Sequence, residues 1–136
     1  MGLAERRAQK SFEDEVFPKL KKEVVEAASF DIPIEVEWEP LCLEGHAHNY
    51  EEFWTKTYFR PLIAALKSIS ADDMGKEALK ASVQKIVITN RKGHYYGEGM
   101  ATLTAGVLTL DHEPGTNVHQ LDERIKALTT YLEAHL

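Results

Sequence analysis

KIVITNRKGHYYGEGMATLTAGVLTL, residues 85–110, is the stretch on which the fold turns. Lys85 to Thr89 is a β-branched run, and Asn90-Arg91-Lys92-Gly93 has the composition of a turn in which glycine supplies a positive φ. Residues 94–100 read as a short strand or a glycine-loosened hairpin arm. Residues 101–110 read as a strand or two. There Leu103, Ala105, Val107 and Thr109 alternate with Thr102, Thr104, Gly106 and Leu108, and Gly106 marks a bulge or a close backbone approach. Strands joined through a glycine turn pair antiparallel, whereas repeated helical crossovers build parallel sheets. The stretch therefore selects an α+β fold.

Upstream, Asp31 to Pro40 alternates. Ile34, Val36 and Trp38 point one way, and Glu35, Glu37 and Glu39 point the other. Pro33 cannot donate to a ladder, so this strand is an edge or starts at Pro33. The acidic row implies a wet sheet face that discourages pairing with another chain.

Helices fill the rest. Residues 3–29 carry Phe12, Val16, Leu20 and Val24 at helical spacing, with Ser11 and Asp14 as a capping pair and Pro18 as a kink. Asn49 is placed to cap a helix running to about Ser68, again with a kink at Pro61, and Asp72 to Ser82 fits another. Gly75 weakens that last helix by roughly 1 kcal/mol relative to alanine. The final helix is expected to be capped by Asn117, with Gln120 completing a capping box. Its stripe of Val118, Leu121, Ile125, Leu128 and Leu132 suits a core or a helical dimer seam.

The order is thus helix, strand, helix, helix, hairpin, helix. It predicts a small, mostly antiparallel sheet of three or four strands with helices packed on one face. At 136 residues the chain is expected to form a single α+β domain, residues 1–136.

Composition narrows the function classes. No apolar run reaches the ~20 residues of a membrane span, and no signal peptide is legible, so a cytoplasmic protein is expected. The single cysteine, Cys42, permits no intrachain disulfide. Net charge is −6, and the one basic stretch, residues 61–93, carries six bases against three acids. That is too dilute for a phosphate-backbone footprint, which argues against nucleic acid as a partner. No phosphate loop, dinucleotide fingerprint, paired-cysteine zinc site or nucleophile elbow is present.

Four clusters remain, each with a chemical and a structural reading. His46 and His48, joined by His112, could ligate a hydrolytic metal, with Glu52 (or Glu51) as base on a bound water. Equally, they are solvated or packed histidines. Trp54 and Tyr58, within the aromatic set of residues 50–59, either line an apolar pocket or form the core. The adjacent tyrosines Tyr95 and Tyr96 would point to opposite faces of a strand, which places at least one on the surface or at a cavity rim. Asn117 and Thr116 sit in a strand-end loop that offers amides to an anion but also bears Asp111 and Glu113. To these the strand adds Glu35, Glu37 and Glu39, a cation site or acid/base pair, or an acidic solvated face. Cys42 has no neighbouring base and reads as a small buried hydrophobe.

No nucleophile–base pair is specified, so the leading class is a binding or protein-interaction module, with a protein partner or self-association as its expected business. A metal-dependent hydrolase and a small-apolar-ligand-binding protein are the alternatives. No cofactor is indicated by any motif.

Overall fold

The computed structural model describes all residues, 1–136. Two long helical stretches open the molecule. The first joins α1 (Leu3–Ser11) to α2 (Phe17–Ala28), and the second joins α3 (Tyr50–Trp54) to α4 (Arg60–Ile69). Each stretch stays helical through its proline. In each, five residues of π-helix intervene, Phe12–Val16 before Pro18 and Thr55–Phe59 before Pro61. The cause is local. Proline has no N–H and its ring crowds the carbonyl four residues back, so the backbone takes in one extra residue at that turn. The amide just before each proline reaches back five residues, Phe17 to the Phe12 carbonyl and Arg60 to that of Thr55.

Ser11 lies inside this helix instead of capping it, and its hydroxyl donates to Glu15. Asn49, in a short 3-10 turn, likewise makes no side-chain cap. The helix α5 (Asp73–Ser82) is capped by Asp72, the first residue of the expected helix, whose carboxylate accepts from the Gly75 N–H at 2.7 Å. Gly75 is required there: a Cβ would lie 1.6 Å from the Ile69 carbonyl oxygen.

The sheet has four strands in the order β1-β2-β4-β3: β1 (Ile34–Val36), β2 (Lys85–Thr89), β3 (Ala101–Thr104) and β4 (Val107–Asp111). The α+β architecture and strand count are as expected, but the pairing is mixed. β2 runs parallel to both β1 and β4, and only β3–β4 is antiparallel. Two physical facts account for the departure. The connection from β1 to β2 is a helical crossover through α3, α4 and α5, which returns the chain in the same direction. The tight turn lies at Ala105-Gly106, not at residues 90–93. Ala105 has φ 52° and Gly106 φ 80°, the paired left-handed geometry of a two-residue hairpin. The glycine of residues 90–93 belongs instead to a long loop that passes over β4 to reach β3.

Register assigns the two faces. Ile86 and Ile88 lie beside Leu108 and Leu110, and Ile34, Val36, Leu103 and Ala101 continue that side. These residues belong to or pack against the hydrophobic core with the helices, so the helices cover this one face. The other carries Glu35, Lys85, Thr89, Thr102, Thr104 and Thr109, with the Val87 side chain buried among them. At the far edge, Tyr131 of α6 (Leu121–His135) blocks β3, its hydroxyl accepting the Leu103 N–H at 2.6 Å.

The core is strongly aromatic. Phe12 meets Trp54 edge-on at 5.0 Å, Tyr50 stacks on Trp54 at 4.6 Å, and Trp38 lies 5.4 Å from Phe17 and 5.5 Å from Trp54. Such pairs add about 0.5–1.5 kcal/mol each beyond the area they bury. No helix is long and apolar enough to cross a membrane.

Candidate binding groove

Two loops meet beyond the C-terminal ends of the parallel strands. One leaves β2 and spans residues 90–100; the other leaves β4 and spans residues 112–120. They are tied together by main chain and side chain. Glu113 N–H donates to the His94 carbonyl at 2.6 Å, and the Arg91 and Lys92 amides donate to Asp111 Oδ1 at 2.9 and 3.2 Å. The amide side chain of Asn117 donates to the Tyr95 carbonyl. Asn117 itself stands in the left-handed region at φ 57°. It does not cap the last helix, which starts later, at Leu121, after Gln120. The expected cap is thereby corrected. A residue in that conformation directs its side chain across to the neighbouring loop, and its carbonyl accepts from Gln120 N–H and from Arg124.

Arg124 is the principal fastening. It is 1% exposed, and its guanidinium donates to the carbonyls of Asn117, Val118 and Lys56. No carboxylate pairs with it, and its Nε has no partner. Burial lowers its pKa from the ordinary guanidinium value. Guanidinium stays protonated even so. Gly97 rests directly on this residue, where a Cβ would be 2.9 Å from Arg124 Cα. That contact brings the 90–100 loop flush against the first turn of α6.

On the other side of the second loop, the π-turn supplies two hydroxyls. Thr57 donates to the Pro114 carbonyl at 3.1 Å, and Tyr58 to that of His112. Burial raises the Tyr58 phenol well above its usual value. His112 is fully buried, with Nδ1 2.6 Å from the Glu113 carbonyl and Nε2 without a partner. Burial holds its pKa below the usual imidazole value, and the nearby Arg124 charge adds to the effect.

Between Tyr96-Gly97-Glu98-Gly99 and the outer face of α6 lies a groove of about 590 Å³. Ala127, Thr130 and Ala134 contribute from the helix, with Tyr131 and His135 beside them and Glu123 and Lys126 on the rim. Tyr131 and His135 stack at 3.9 Å. Tyr95 and Tyr96 are 49% and 59% exposed and lie 4.4 Å apart, with Tyr96 lining the groove.

The other residues singled out from sequence fall elsewhere. Trp54 and Tyr58 are core residues with no exposed surface, and the Trp54 indole N–H ends on the Leu41 carbonyl at 3.1 Å. They line a filled interior, not a pocket. His46 and His48 are exposed on the 43–49 segment, His46 lying 5.9 Å from the Phe53 ring. His112 is buried at the end of β4, and no group of three or more His, Cys, Asp or Glu side chains converges to hold a metal ion. Glu52 is exposed and paired with Lys56 at 3.2 Å. Glu35 pairs with Lys85 at 2.8 Å. Glu37 is held below the usual carboxylate range by Arg91, which bonds it at 2.7 and 3.0 Å, and by Thr89. Glu39 has left the strand for a 3-10 turn.

Of the residues singled out from sequence, Tyr96 lines this groove and Tyr95 and Asn117 stand beside it, while Gly97, Glu98, Tyr131, His135 and Arg124 were not singled out. One signal was legible: Arg124 precedes Leu128 and Leu132 by four and eight residues, a charge on the apolar stripe of a helix. The chain matches no protein-family model, no curated protein and no solved structure.

Proposed function

We propose that this protein is a binding module and that the groove between residues 96–99 and α6 is where a small ligand sits. A single observation carries the reading: an exposed tyrosine pair adjoins a concave surface of ligand size, where Ala127, Thr130 and Ala134 of α6 leave room between larger side chains. Exposed aromatics are costly in water unless something covers them, and pockets of 300–1,000 Å³ are the usual dimension for small-molecule sites. Concavity favours a small molecule over a flat protein partner within the binding class. The loop bearing Tyr96 is held by Asn117 and by the Gly97–Arg124 contact, so the site is formed before any ligand arrives. Preformed sites avoid the ordering cost that weakens flexible ones.

The test is a fragment screen read by amide chemical shifts. Aromatic fragments are expected to move the signals of residues 96–99 and 126–135 together. Tyr96→Ala should abolish those shifts while leaving the rest of the spectrum in place. Shifts gathered at any other surface, or none from any fragment, would remove the groove from consideration.

A further inference from the structure

We infer that the groove selects an organic cation with an apolar body over neutral or anionic ligands of the same shape, an inference that rests on the groove being the binding site. Its charges are the first ground. Glu98 and Glu123 line the groove, and neither lies within an ion pair of this chain, whose pairs engage Asp14, Glu23, Glu35, Glu37, Glu44 and Glu52 instead. Lys126 is the one lysine or arginine lining the groove and is likewise unpaired, so these formal charges sum to −1.

The aromatic surfaces are the second ground. The Tyr131 oxygen already accepts the Leu103 N–H, and one side of its ring is stacked on His135. Tyr131 and Tyr96 both line the groove, and the Tyr96 ring is the more open of the two, 59% exposed. Ring faces carry negative quadrupole potential and attract ammonium or guanidinium groups. Ala127 and Ala134 give the ligand's apolar body a methyl surface to rest on. The chain's net charge of −6 steers in the same direction at long range. An aryl or alkyl ammonium would place its body on Tyr96 and Tyr131 and its charge toward Glu98 and Glu123.

Three probes of matched shape decide it: 2-phenylethylammonium, 2-phenylethanol and phenylacetate, each titrated by amide chemical shift. The cation should bind about tenfold more tightly than the alcohol, and the carboxylate more weakly than either. In the double variant Glu98→Gln, Glu123→Gln, the cation-to-alcohol ratio should fall several-fold, what remains being the attraction of the rings. Both positions are exposed, so the fold is not at stake. Equal binding of cation and alcohol, or tighter binding of phenylacetate, overturns the cation preference and leaves the groove as a binding site. Absence of shifts at residues 96–99 and 126–135 with all three probes overturns the site and the preference together.

Discussion

Replacing Ala105 with asparagine should stabilise the protein, because Ala105 occupies the first central position of a turn made for another residue. Its φ of 52° lies in the left-handed region, and Gly106 follows at 80°. An L-residue with a Cβ loses roughly 1–2 kcal/mol there, whereas asparagine tolerates the region through local hydrogen bonding. Glycine at 105 would also remove the strain, but it adds about 0.4–1 kcal/mol of unfolded-state entropy, so asparagine is the cleaner change. A net gain of about 1 kcal/mol is expected. At roughly 2.1 cal/mol/K per residue over this chain, that is a rise in Tm of about 3–4 °C. Gly106→Ala is the opposing control, since its Cβ would lie 3.0 Å from Gln84 Cδ in addition to the strained φ. It should lower Tm. The assay is thermal unfolding by far-ultraviolet circular dichroism at matched concentration. If Ala105→Asn fails to raise Tm while Gly106→Ala is harmless, the hairpin does not turn at these two residues and the strand order derived from it is wrong.

The remaining expectations are shorter. Gly75→Ala should destabilise by about 3 kcal/mol despite alanine's better helix propensity, since backbone at Ile69 and not a flexible side chain must yield; urea unfolding measures it. Stability should decline as pH falls below about 6.5, because His112 takes up a proton in the unfolded chain at its ordinary pKa but only at a lower pH when folded. His112→Gln should flatten the urea midpoint between pH 7.5 and 5 relative to the parent, and an unchanged slope would assign the effect to other groups. Cys42, whose thiol is pushed up to about 11 by burial, should react with a disulfide reagent at pH 8 far more slowly in the native than in the urea-unfolded protein. Equal rates would place that thiol in the open.

Elements announced by periodicity were legible, and pairings that depend on distant loops were not. The β2 run of Lys85–Thr89 and the helix ending at Ser82 follow from local chemistry and stand where the sequence places them, and the strand expected over Asp31–Pro40 keeps its Ile34 and Val36 alternation in a shorter form, Ile34–Val36. Strand direction does not follow from local chemistry. Both Asn90–Gly93 and Ala105-Gly106 carry a glycine suited to a turn, and the choice between them is made by whether β4 can insert beside β2. Alanine at 105 hides the true hairpin, because asparagine or glycine is what that position normally advertises. The groove was half legible for a similar reason. Tyr95 and Tyr96 stand out as apolar residues that one core cannot absorb. Tyr131 and His135 look like ordinary members of an amphipathic helix until the 90–100 loop is laid against them. The aromatic run of residues 50–59 carried the opposite ambiguity, and packing with Phe12, Phe17 and Trp38 resolves it as core.

The two prolines connect the core to the groove. Pro18 and Pro61 follow their π-turns at the same distance, six residues after Phe12 and six after Thr55. In the second turn three successive residues, Thr57, Tyr58 and Phe59, are all buried. Phe59 joins the aromatic cluster, while the hydroxyls of Thr57 and Tyr58 reach the carbonyls of Pro114 and His112. Those bonds fix the 112–120 loop, whose Glu113 and Asn117 fix the carbonyls of His94 and Tyr95 in turn. Tyr96 is the next residue. Its place beside the groove is therefore tied to the second π-turn through two strand-end loops, with Arg124 holding the Lys56, Asn117 and Val118 carbonyls on one buried guanidinium. Strain-prone backbone of this kind is retained where it positions something, and here what it positions is the wall of the groove.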